Sequence, residues 1–164
     1  MDLSKLSDTS LKIKLKKLTI VTDPEKKADA EVAIVTAGVP DKTLYDEYPL
    51  VIEGPGEYEK NGIYIKGERV GEGISYTIID GTSQIHFAQS TALEKFKEED
   101  IEVLIIKAVA KVDEGMLSSF SGSIVVVFGN PEFIQISPEV VKHTNKITPK
   151  TREEFAGSIV ILDA

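Results

Sequence analysis

Histidines, cysteines and paired carboxylates are the side chains that most often carry chemistry, and this chain uses them sparingly. It has two histidines, His86 and His143, and no cysteine. The missing thiols remove disulfides, thiolate metal sites and a cysteine nucleophile together. His86 sits between Ile85 and Phe87 in a strand-like run. An imidazole there could act as a remnant ligand or general base, because it titrates near neutrality; a hydrogen-bonded structural histidine is the plainer reading. His143 lies in the polar stretch Val141-Lys142-His143-Thr144-Asn145 without partner ligands at metal spacing, and reads as a surface residue. Glu57 and Glu59 are two apart, so on an extended strand both carboxylates face the same way. The run Ser118-Ser119-Phe120-Ser121-Gly122-Ser123 is explained as a loop before a strand. No Gly-x-Ser-x-Gly elbow, Walker loop or dinucleotide fingerprint is present, and Gly71-Glu72-Gly73 is too short to count.

The composition bounds what else can be expected. A chain of 164 residues fits a single domain, 1–164, with a core that needs no staples. A hydrophobic fraction of 41% beside 28% charged residues is that of a folded globular protein. The net charge of −8 opposes nucleic acid as a partner, since polyanion binding relies on a basic surface. One basic cluster, Lys12, Lys14, Lys16 and Lys17, alternates with Leu11, Ile13 and Leu15 and reads as the solvent face of a strand. The longest apolar run, residues 124–128, is far too short to cross a bilayer. No signal-like stretch follows Met1, so a cytoplasmic protein with no membrane partner is expected.

Positioning falls mainly to strands. Residues 11–15 and 18–22 form an expected hairpin that ends at Asp23-Pro24, because proline donates no amide and restricts the residue before it. Residues 32–35 read as a short buried strand, and residues 50–52 as another. Two glycines around a proline in Glu53-Gly54-Pro55-Gly56-Glu57-Tyr58-Glu59 force a tight turn. A meander follows, with Asn61-Gly62 as a hairpin signal and strands over 63–66, 74–79 and 84–88. Thr91-Ala92-Leu93-Glu94 reads as a capping box opening a helix over 91–99. Residues 101–106 and 123–128 read as central strands covered on both faces. A weak helix over 114–120 would join them, a helical turn could begin at Ser137-Pro138-Glu139, and residues 157–162 read as a closing strand. Strands dominate and the helices fall late, so the expected class is α+β and β-rich, with two packed sheets and few covering helices.

The segment Gly54-Pro55-Gly56-Glu57-Tyr58-Glu59 with Asn61-Gly62-Ile63 resembles a bacterial group of metallo-β-lactamase-fold proteins related to the ascorbate-lactonase type. Thr22-Asp23-Pro24 is similar to an early Thr-Asp-Pro of that group. Ala28 to Thr36 resembles its strand leading to the metal loop, and the closing segment, Asn145 to Leu162, its C-terminal strand region. Ile85-His86-Phe87-Ala88-Gln89 falls where the family has a His-x-Gly-Asp step. The resemblance implies a trimmed metallo-β-lactamase-like sandwich in which Gly54, Pro55, Gly56, Glu57 and Tyr58 are structural. It also implies where ligands should stand. The family's His-x-His-x-Asp-His loop, laid from Thr36, meets Ala37, Val39, Asp41 and Lys42. His86 is kept, Gln89 replaces a bridging aspartate, and the last histidine falls near Gly129.

A catalytic zinc needs three protein ligands and an open position. Asp41 and His86 supply at most two, and Lys42 adds repulsion to a nearby cation. The expectation is therefore a non-catalytic domain without metal or other cofactor. It would serve as a binding or assembly module, as a homo-oligomer or with a catalytic homologue, its partner unnamed by the sequence. The alternative is a residual hydrolase using Asp41 and His86, with one weakly held metal or none. Asp41, Lys42, His86 and Gln89 are the remnant-site candidates.

Overall fold

The computed structural model describes residues 1–37, 42–97 and 99–164. Its strands, in chain order, are β1 (Asp2–Lys5), β2 (Leu11–Lys14), β3 (Thr19–Thr22), β4 (Val32–Ile34), β5 (Leu50–Ile52), β6 (Gly56–Lys60), β7 (Ile63–Val70), β8 (Gly73–Asp80), β9 (Ser83–Gln89), β10 (Val103–Ala108), β11 (Val112–Asp113), β12 (Ile124–Gly129), β13 (Ile134–Gln135), β14 (Val141–Thr144), β15 (Lys146–Ile147) and β16 (Ile159–Leu162). One α-helix, α1 (Glu114–Leu117), is described; the other helical turns are 3₁₀.

Two mixed sheets face each other. The smaller runs β15-β1-β2-β3-β4-β5, antiparallel as far as β3 and parallel beyond it. The larger runs β14-β16-β12-β10-β9-β8-β7-β6, with the meander antiparallel and the strands from β9 to β14 parallel. The β11–β13 pair forms a separate ribbon.

Side-chain alternation explains the layers. In β10, Val103 and Ile105 point into the core between the sheets, with Ile20, Ile34, Tyr76, Phe87, Val126 and Phe128. Leu104 and Ile106 point the other way, under Leu93, Phe96, Leu117 and Phe120. Both faces of β10 are covered, which is why residues 103–106 read as a continuous apolar run. A third, small cluster of Val21, Ala33 and Tyr48 covers the outside of the smaller sheet.

Two turns set the register. Asn61 (φ 53°) and Gly62 (φ 81°) both take the left-handed conformation that a two-residue hairpin between β6 and β7 requires. The Gly54 turn carries the chain from β5 in one sheet to β6 in the other. It is fastened by the hydroxyls of Tyr58 and Tyr76, each donating to the Gly54 carbonyl at 3.3 Å. Gly67 lies flat beneath the Tyr76 ring, where a Cβ would meet the ring at 2.6 Å.

The expected hairpin, meander and buried central strands are present, and β9, β10 and β12 are parallel. The expected helix over 91–99 is a 3₁₀ segment, Ser90–Phe96, kinked at Ala92. Its N-cap is Gln89 with no side-chain cap, so Thr91 does not form the expected capping box. The reason is packing: Gly73 of β8 lies directly against Thr91 and Ala92, and this docking sets the path of the backbone. The expected helix over 114–120 is α1 followed by a 3₁₀ turn, Ser118–Phe120.

Candidate functional site

The C-terminal ends of parallel strands are where such sheets place ligands, and five elements converge there. β3 delivers Asp23, β4 delivers Thr36 and Ala37, and β9, β10 and β12 deliver Gln89, Lys107 and Gly129. The strand register places Lys107 level with Gln89 and Phe128, and Ala108 level with Gly129.

Asp23 and Lys107 meet across the two sheets. The Lys107 ammonium lies 2.5 Å from Asp23 Oδ2, with both side chains about 95% buried by exposures of 5% and 6%. The same oxygen accepts the Thr36 hydroxyl, and Lys107 Nζ also reaches Thr36 Oγ1 at 3.4 Å. Asp23 Oδ1 accepts the backbone amides of Thr36 at 2.7 Å and Ala37 at 3.1 Å. Four donors thus fill the roughly four lone-pair sites of one carboxylate. Asp23 takes φ 41°, uncommon for a side-chain-bearing residue, and this strained backbone aims its carboxylate at those donors.

The surrounding positions are committed as well. Gln89 Oε1 accepts the Ile74 amide at 3.0 Å. Gly129 has φ 134°, and a Cβ there would stand 2.7 Å from the Ala108 carbonyl. The position tolerates only glycine and offers no ligand. Lys42 is exposed at the start of the 3₁₀ segment Lys42–Glu47. Asp41 lies outside the described residues.

His86 belongs to a different place. Along β9, Ile85 and Phe87 point between the sheets, so His86 points to the opposite face. There its ring meets Phe96 edge-on at 4.8 Å, and Nε2 lies 3.4 Å from Glu99. Its Nδ1 is buried without a hydrogen-bond partner among the described residues. Burial pushes its pKa below the ordinary value, partly offset by the Glu99 carboxylate. The adjoining groove, about 480 Å³, is lined by Thr82, Gln84, Asp100, Glu102 and Gly122, at the strands' N-terminal ends. His86 and the Asp23–Lys107 cluster are therefore separated by the thickness of the larger sheet.

The remaining candidates are accounted for by structure. Glu57 and Glu59 are exposed on one side of β6, and Glu59 accepts the Gly62 amide at 2.7 Å. His143 is exposed and pairs with Asp163 at 3.0 Å. Ser123 donates to the Ile101 carbonyl at 2.5 Å, closing the loop before β12. Lys107 went unnoticed in the sequence although it left a signal: it is the single charge in the apolar strand Val103–Ala108.

The fold is that of the metallo-β-lactamase superfamily: an α+β, β-rich sandwich of two mixed sheets. A crystal structure from Thermotoga maritima, carrying the name of a Zn-dependent hydrolase of that superfamily, superposes with a TM-score of 0.68 and 14% identity over 100% of both chains. No protein-family model and no curated protein matches the sequence.

The zinc ion implied by that fold does not fit the residues described. Among the described residues no group of three or more His, Asp or Glu side chains is placed to hold a metal. The Asp23 carboxylate at the strand ends is saturated, the Lys107 ammonium stands beside it, and the His86 imidazole faces away.

Proposed function

We propose that this chain is a non-catalytic metallo-β-lactamase-fold domain that acts as a binding or assembly module. The observation that carries this reading is the division of the expected remnant site. His86 is packed against Phe96 on one face of the larger sheet, while the opposite face is closed by Asp23, Lys107 and Thr36. A hydrolytic site needs its acid–base groups within hydrogen-bond reach of one reacting atom, and His86 stands on the other face of the sheet from Asp23, Lys107 and Thr36. What a module would use is surface. A groove of about 340 Å³ runs between α1 and β14, floored by Leu117, Phe120, Val125 and Ile159 and rimmed by the half-exposed Val140.

The test pairs activity with assembly. The purified chain is offered a lactone, a phosphodiester and a β-lactam with added zinc or manganese, and its mass is measured by sedimentation equilibrium. The expected result is turnover no faster than buffer and a self-associated species. Turnover that disappears on replacing His86 or Asp41 would overturn the proposal in favour of a residual hydrolase.

A further inference from the structure

The resemblance places expected metal-ligand positions in the loop after β4 and at the ends of β9 and β12, near Gln89 and Gly129. Side chains hold that edge together. Asp23, just past the end of β3, holds the amides of Thr36 and Ala37 through one oxygen. Through the other it holds the Thr36 hydroxyl and the ammonium of Lys107 from β10. We propose that Lys107 is a built-in cation that ties Asp23, and through it Thr36 and Ala37, to the larger sheet and excludes a divalent ion from the same edge.

Three observations converge on this. Burying an ammonium and a carboxylate is costly unless each is paired and hydrogen-bonded, and this pair spans residues 84 apart in sequence, joining different sheets. The backbone at Asp23 is held at φ 41°, so the local chain is strained to present the carboxylate there. The lysine stands among Gln89, Phe128 and Gly129, of which Gln89 is committed to the Ile74 amide and Gly129 cannot carry a side chain. A fixed positive charge repels a divalent cation most strongly where water is scarce. The inference does not rest on the non-catalytic reading. A chain that turned over a substrate yet melted as described below would defeat that reading and leave this one standing.

The test is a melting-temperature cycle on wild type, Lys107→Met, Asp23→Asn, the double variant and Lys107→Arg, each with a chelator or with excess zinc. The wild type is expected to melt at one temperature under both conditions. Each single neutralisation is expected to lower the melting temperature by roughly 10 °C, because it strands a buried charge. The double variant should lose less than the two singles combined, and Lys107→Arg should melt above Lys107→Met. Wild-type melting that falls with chelator or rises by several degrees with zinc would overturn the proposal. So would a Lys107→Met protein as stable as wild type, or no difference between the Arg and Met variants. If Lys107→Met does not fold, the response of the wild type to zinc and chelator decides the question.

Discussion

Lys107 and Gly129 show how a cleft can be closed to metal by two different means. Lys107 supplies a charge that answers Asp23; Gly129 supplies a backbone conformation that side-chain-bearing residues rarely adopt. The first means is tested by the melting cycle on the ion pair, where stranding one buried charge typically costs about 3–5 kcal/mol. The second gives a separate expectation. Gly129→Ala meets the Ala108 carbonyl at 2.7 Å and must hold φ 134°. It should lose about 2–3 kcal/mol of unfolding free energy in a urea titration. A stability unchanged by more than a few tenths would show that the loop after β12 relaxes and that the position could have carried a ligand.

At the scale of elements, the Gly54 turn and the β7–β8 pair behave as a clamp between the sheets. Gly67→Ala would drive a methyl group into the Tyr76 ring. Overpacking of that kind costs about 1–3 kcal/mol, read as a lower urea midpoint with an unchanged slope. Elements whose determinants are local were legible in the sequence. Leu11, Ile13 and Leu15 alternating with lysines gave β2, and Asn61-Gly62 gave the β6–β7 turn. The near-continuous apolar run over residues 101–106 announced a strand covered on both faces. Elements set by distant partners were not legible. β1 is four residues long and owes its existence to pairing with β2 and with the remote β15. The turn at Ser90–Phe96 bends to lie on Gly73, which no reading of Thr91 and Glu94 could anticipate. The same distinction governs the site. That the imidazoles of a metal loop are missing can be read residue by residue. That His86 faces away from the cleft needs the register of β9 against its neighbours, and that Lys107 finds Asp23 needs the packing of two sheets.

For the whole molecule, pH is the lever that separates the two faces of the larger sheet. The folded-state pKa of His86 lies below its ordinary value, chiefly through burial. The unfolded chain therefore binds the proton more readily. The stability that neutral His86 contributes is complete above an unfolded value of about 6.5 and is lost as pH falls from there toward the folded pKa. Urea unfolding at pH 8 and pH 5.5 should show the wild type losing more stability on acidification than His86→Phe. Equal losses would place the acid sensitivity elsewhere. The most direct test of the account is the metal content of the purified chain, measured by elemental mass spectrometry after incubation with zinc, manganese and iron and then desalting. The ion pair of Asp23 and Lys107 predicts a stoichiometry near zero for each metal. One tightly held ion per chain would contradict the claim that a side-chain cation excludes a divalent ion.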